Sequence, residues 1–167
     1  VENEAGRPEW DDQLIGYGLA RVLLQHLYDT GLYTPVEDNP EIVNEIKRLV
    51  GAYWKGDVKG YSPADADALA RKFDCDVTAY AKIKKFATTR SRTSVGPFSS
   101  AETVVTIEVE VTVKKAGEAE IRASGEGSSS TKAKSMMFKI RDNKVRLDET
   151  SVGRATEKAI KNAVEKL

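Results

Sequence analysis

One histidine, one cysteine and four closely spaced aspartates are the residues of this chain with most chemistry to offer. His26 is its only histidine; number alone leaves a Ser/His/Asp arrangement open, yet no nucleophile motif accompanies it. Helical spacing puts it within the stripe of Ile15, Leu19 and Val22. That predicts a hydrogen-bonded core or interface histidine, with a pH-sensitive contact as the sharper alternative. Cys75 is the sole cysteine, which excludes an internal disulfide and a cysteine-based zinc site. Asp65, Asp67, Asp74 and Asp76 cluster in sequence, and Asp74 and Asp76 share a face if both lie on a strand. Calcium asks for six to eight oxygens, usually around a glycine-bearing loop. No such loop is present, so the four read as solvated helix and strand ends. Gly16-x-Gly18 and Gly125-x-Gly127 lack the third glycine and preceding strand of a dinucleotide site. The expectation is a protein without catalytic residues, cofactor or metal.

Two features suit contact rather than catalysis. Lys82, Lys84, Lys85, Arg90 and Arg92, with Phe86 among them, make a basic run on a strand and the loop after it. Single-stranded nucleic acid uses such a patch with an aromatic for stacking. An anionic lipid headgroup or an acidic protein suits it equally, and a solvated edge is the plainest reading. Tyr53, Trp54 and Tyr61 lie in a stretch rich in glycine and lysine that reads as a loop. Aromatics on a loop either tuck under it or meet a partner. The candidate partner contacts are therefore Tyr53, Trp54, Tyr61, Lys84, Lys85, Phe86, Arg90 and Arg92.

The elements that position these residues follow from periodicity. Asp11 or Asp12 caps a helix running to Thr30, with Ile15, Leu19, Val22, Leu23 and Leu27 on one stripe and Gly31 as its left-handed cap. Leu32 to Val36 is extended. Asn39 caps a second helix with Pro40 at its first position and Ile42, Ile46 and Leu49 buried. Gly51 to Tyr61 reads as loop. Ser62-Pro63-Ala64-Asp65 opens a short helix ending near Phe73. Val77, Ala79, Ala81 and Ile83 alternate with polar residues as a strand with one buried face. Thr103 to Lys114 is the clearest strand, with Val105, Ile107, Val109, Val111 and Val113 on one face. Ala116-Gly117 turns it into an antiparallel partner through Ala119, Ile121 and Ala123. Gly125 to Ser135 reads as flexible, and Met136 to Leu147 as a hairpin about Asp142-Asn143. The last helix carries a seam of Val152, Ala155, Ala159, Ile160, Ala163, Val164 and Leu167, small enough for close approach to a sheet.

Helices, then one-face-alternating strands, then a helix make an α+β two-layer sandwich, with a mixed or antiparallel sheet covered mainly on one face. At 167 residues the chain is a single domain, 1–167, with 40% hydrophobic and 31% charged residues. Uncharged stretches reach only eight or nine residues, as in Gln13 to Ala20 and Thr93 to Ala101. A spanning helix needs about twenty. The zero net charge conceals an asymmetry: residues 1–81 hold 15 acidic and 8 basic side chains, and residues 82–167 hold 11 and 18. Opposed halves favour head-to-tail contact between copies if they face different directions.

Three blocks carry a family resemblance. Val1-Glu2-Asn3-Glu4-Ala5-Gly6, with Gly16-x-Gly18-Leu19-Ala20 and Leu24-x-x-x-Tyr28-x-x-Gly31-Leu32-Tyr33, looks like the end of a first strand and its helix. Ala68-Leu69-Ala70-x-x-Phe73-x-Cys75-Asp76-Val77 resembles a helix-to-strand passage, with Cys75 near a position usually held by a small residue. Thr150 to Val164 resembles a closing helix. Together they resemble the curli-export lipoprotein family (CsgG-like) and related envelope-assembly domains. The resemblance implies a periplasmic, outer-membrane-associated domain serving secretion or envelope assembly through protein contacts or oligomers. It also implies a lipid anchor and most of the first strand upstream of Val1. A membrane hairpin needs roughly twenty residues of alternating polarity. The slot Ala87 to Ala101 is fifteen residues and holds Arg90 and Arg92, and the slot Glu126 to Leu147 is dense in charge. An accessory without its own pore is expected, with a soluble nucleic-acid-binding module using residues 82–92 as the alternative.

Overall fold

Strict alternation of β-branched residues with polar ones decides the centre of the molecule. In a computed structural model, which describes residues 2–3, 13–37, 39–54, 62–95, 98–133 and 151–167, that pattern forms the middle of a four-stranded sheet. The elements run β1 (Glu2–Asn3), α1 (Gln13–Asp29), α2 (Pro40–Trp54), α3 (Pro63–Lys72), β2 (Val77–Val95), β3 (Phe98–Lys115), β4 (Glu120–Ala133) and α4 (Ser151–Val164). Strand order is β1-β2-β3-β4. β1 is parallel to β2, and the other pairs are antiparallel. The sheet is thus mixed, as the sequence predicts. Ile107, Val109 and Val111 of β3 are fully buried, joined by Leu19, Leu23 and Leu27 of α1 and by Ala155, Ala159, Ile160 and Ala163 of α4. This is one core between one helical layer and one sheet face.

The helix ends are written locally. Asn39 Oδ1 accepts from the Ile42 N–H at 2.9 Å. Ser62 and Asp65 form a reciprocal capping box, with N–H to oxygen distances of 2.9 and 3.2 Å. Gly31 closes the turn after α1 at φ 73°, where a Cβ would be strained. At the end of α3 the left-handed place falls to Asp74, φ 48°. The N–H groups of Phe73 and Cys75 there return to Leu69 and Ala70 carbonyls at 3.1 and 3.0 Å. Asp74 and Asp76 consequently precede the strand instead of sharing a face on it.

The sequence reading needs correction at four places. α2 does not stop at Gly51 but runs to Trp54. The stripe of Ile42, Ile46 and Leu49 outweighs the roughly 1 kcal/mol that one interior glycine costs. β2 does not stop at Lys84 but runs to Val95, paired throughout with β3. A register shift between Ile83 and Lys85 resets its alternation, so that Phe86 packs against the core. At the base of β2, Ala79 is exposed while Thr78 and Tyr80 are buried. There α3 reaches the opposite face, where Asp67 lies 3.2 Å from the buried Lys114 ammonium. The helices otherwise cover one face. The hairpin expected at Met136 to Leu147 lies outside the described residues.

The fourth correction concerns Gly125 to Ser135, which is ordered strand through Ala133. A Cβ at Gly125 would strike the Ala159 carbonyl and Ala163 nitrogen; one at Gly127 would strike the Ala155 carbonyl and Ala159 nitrogen. The α4 backbone therefore lies directly on β4, with Ala155, Ala159 and Ala163 as its contact seam. Four helical residues advance about 6 Å and two strand residues about 6.7 Å, so successive alanines meet successive glycines. The same stride carries polar side chains along the outer edge of β4. Lys158 Nζ, Asn162 Nδ2 and Lys166 Nζ donate to the carbonyls of Ser128, Glu126 and Ser124 at 3.2, 2.8 and 2.8 Å. Arg154 donates to Ser129 Oγ at 3.3 Å. Replacing Gly127 by Val should cost about 3 kcal/mol, because backbone has to move. Urea unfolding checks this against Ser130→Ala, an exposed control expected to stay within about 0.5 kcal/mol.

Candidate functional site

The apolar stripe of α1 is wider than the sheet can cover. Leu23 and Leu27 are buried, while Leu24 on their flank, with Ile42, Ile46 and Leu49 of α2, faces Leu69 and Phe73 of α3 across a gap. The result is a cleft of about 630 Å³ between α1, α2, α3 and the first five residues of β2, Val77 to Ala81. Its outer wall is the extended stretch after α1. Tyr28, Leu32 and Val36, which line the cleft, are exposed by 54%, 79% and 45%. Its walls are mainly apolar, with Arg21, Asp74, Asp76 and Thr78 among the polar residues of the lining.

Beside the cleft a charge pair ties α2 to α3. Glu45 of α2 accepts two bonds from Arg48, both at 2.9 Å, and reaches Lys72 of α3 at 3.4 Å. The Arg48 hydrogen bond, reinforced by the charges of Arg48 and Lys72, holds the Glu45 carboxyl down at about 2 against a raising effect of desolvation.

Other polar groups line or flank the cleft. Burial, then the neighbouring Asp76, pushes the Cys75 thiol up, which keeps it protonated and a poor nucleophile at neutral pH. Asp65 is turned back onto its own helix cap, and Asp67 onto Lys114. The Thr78 hydroxyl is buried and makes no hydrogen bond to the described residues. The lining combines apolar walls with the Cys75 thiol, the Asp74 and Asp76 carboxylates and the Thr78 hydroxyl.

The contact residues read from sequence are not brought together here. Tyr53 and Trp54 sit on the last turn of α2, and Tyr61 lies outside the described residues. Lys84 and Lys85 are exposed at the bulge of β2, with Lys85 opposite Glu108, just as Lys82 is opposite Glu110. Phe86 turns inward. Arg90 is exposed and pairs in register with Thr103, so it lies in the Phe86 row while Lys82 and Lys85 lie in the other; the Arg92 backbone pairs with Ala101. The basic run is therefore split between two faces. His26 is half-buried on α1. Sequence reasoning missed the cleft itself. Its signal was Tyr28, Leu32 and Val36, three large apolar residues that no helical or strand period requires.

No family model matches the chain, and no curated protein matches it. A solved structure similar to it is lipoprotein GNA1162 from Neisseria meningitidis, at 16% identity and a TM-score of 0.47 over 82% of each chain.

The charge pair makes a pH test available. A carboxyl whose folded pKa is depressed stabilises the fold above its unfolded value and loses that contribution as pH falls toward the folded one. With about 2 in the folded chain against an ordinary 4.5, the stability gap between wild type and Glu45→Gln should be full at pH 6. It should shrink steadily below about 4.5. Denaturant midpoints at pH 6 and pH 3 measure it; a gap independent of pH would remove the charge pair as its cause.

Proposed function

We propose that this chain is an accessory of envelope assembly or export that works by gripping another protein or a second copy of itself, without catalysis. Its location in this reading is periplasmic and outer-membrane-associated, the setting implied by the three sequence blocks that resemble the curli-export lipoprotein family. The supporting observation is the sheet beyond its helical cover. β2 and β3 stay paired to Val95 and Phe98, and β4 follows β3 as far as Ala133 opposite Ala101. In the row that continues Phe86 stand Thr88 and Arg90, with Val105, Thr103 and Ser129 beside them. In the other row stand Ala87, Thr89 and Ser91, with Val104 and Thr106 among Glu102, Ser128 and Ser130. Neither row forms the apolar band that lipid requires of a membrane strand. No described helix is long and apolar enough to cross a membrane. A polar two-faced arm bearing exposed Lys84, Lys85 and Arg90 suits an acidic protein surface.

The opposed charge of the two halves of the chain makes a second copy one such surface. The nucleic-acid reading is less well served, since Phe86 is turned into the core and Lys82 and Lys85 each lie opposite a glutamate. A photo-crosslinking residue at Arg90, in cells that make the protein naturally, should yield a discrete adduct with another polypeptide. The same probe at Glu157, on the exposed face of α4, should not. Equal labelling from both positions, or from neither, would count against the arm as a contact surface. Salt-sensitive binding of an oligothymidine probe at low ionic strength would favour the nucleic-acid module instead.

A further inference from the structure

α3 is held to the sheet lightly. Of its ten residues only Ala66 and Ala70 are buried, whereas α4 buries seven of fourteen. Two alanines bring little apolar area, so burial alone seats the helix weakly. Charge pairs supply much of the rest, and both can part without stranding a charge. Asp67 Oδ1 lies 3.2 Å from Lys114 Nζ yet makes no hydrogen bond among the described residues. The Lys114 ammonium is held independently of α3, because it donates to the carbonyls of Glu118 at 2.8 Å and Lys115 at 3.4 Å. At the other end of the helix Lys72 meets Glu45 at 3.4 Å. When Lys72 leaves, Glu45 keeps its two bonds from Arg48. Breaking a buried pair is costly chiefly when one partner stays buried and uncompensated. Neither pair leaves such a partner.

Two further features favour release. Thr78 is 6% exposed, and its hydroxyl makes no hydrogen bond to the described residues. Water admitted beneath α3 would restore that bond. The chain leaves α3 through Asp74 at φ 48°, a left-handed conformation that costs an L side chain free energy. A swing about this residue relieves it. The helix is meanwhile closed locally at both ends, by the Ser62–Asp65 capping box and by the Cys75 N–H on the Ala70 carbonyl.

We propose that α3 is a flap, which swings off the sheet about Asp74 while the rest of the molecule stays folded. The Asp67–Lys114 pair is its latch. Leu69 and Phe73 line the cleft, so the flap carries one wall of the cleft with it. Its opening therefore governs access to the base of β2. This inference is independent of the envelope reading.

Amide exchange in the folded protein separates the flap from its frame. The N–H groups of Ala66 to Phe73 should exchange roughly a hundredfold faster than those of Ala159 to Val164 in α4. Asp67→Asn keeps the shape and removes the charge, and should speed exchange in α3 about tenfold. Thr78→Val keeps the shape and removes the unpaired hydroxyl, and should slow it about fivefold. Neither should alter α4. Labelling of the half-buried Cys75 thiol beside the hinge by a small maleimide should follow the same order. Exchange in α3 as slow as in α4 overturns the proposal, since the helix then opens only when the whole molecule unfolds. So does Asp67→Asn that leaves α3 unchanged or speeds α3 and α4 alike. Thr78→Val that fails to slow α3 overturns it as well.

Discussion

Backbone-to-backbone approach of α4 to β4 is the constraint on which the rest of the fold depends. Helices ordinarily stand about 10 Å off a sheet because side chains fill the gap. Here glycine at 125 and 127 and alanine at 155, 159 and 163 remove those side chains from both partners. The gain is dispersion between surfaces that fit closely, and it is lost outright if they separate by a fraction of an ångström. Because the near match of helical and strand strides sets the register, sliding α4 by one residue would put Arg154 or Lys158 over a glycine. Position, tilt and register of the helix are thereby decided together.

That seating has consequences on both sides of the sheet. With α4 low over β4, Ile160 and Val164 reach across to Ile107 and Val109, so the core closes without large residues on β4. α1 then covers the remaining width above β2. Its stripe extends past the sheet edge, and the overhang, together with α2 and α3, is what encloses the cleft. The cleft is thus not an isolated hollow. It is the space left where the helical layer is one element wider than the described sheet beneath Val77 to Ala81.

Much of this was legible in the residues. The alternation of Val105 to Val113 announced the central strand, the caps at Asn39 and Ser62 announced helix starts, and the small seam of the last helix announced a sheet partner. Glycine and serine misled at 125–135, because a stretch with no side chains to bury resembles a loop until the helix that needs that emptiness is in place. The basic run misled for another reason: alternation identifies faces only while register is unbroken, and the bulge between Ile83 and Lys85 shifts Phe86 inward. The cleft was invisible because it belongs to three helices and a strand distant in sequence, and no local period records their separation. Polar pairing such as Glu45 with Lys72 is unreadable for the same reason.

The polar side chains that α4 lays along β4 carry one more implication, for how copies of this protein can meet. A sheet propagates through strand pairing only if each unit offers two open edges, one to receive and one to extend. Here the carbonyls of Ser124, Glu126 and Ser128 are already occupied by Asn162 and two lysines. Growth at that edge would first have to break those bonds and displace two ammonium groups. The helix that builds the core therefore also shields the edge of the strand it rests on, from Ser124 to Ser128.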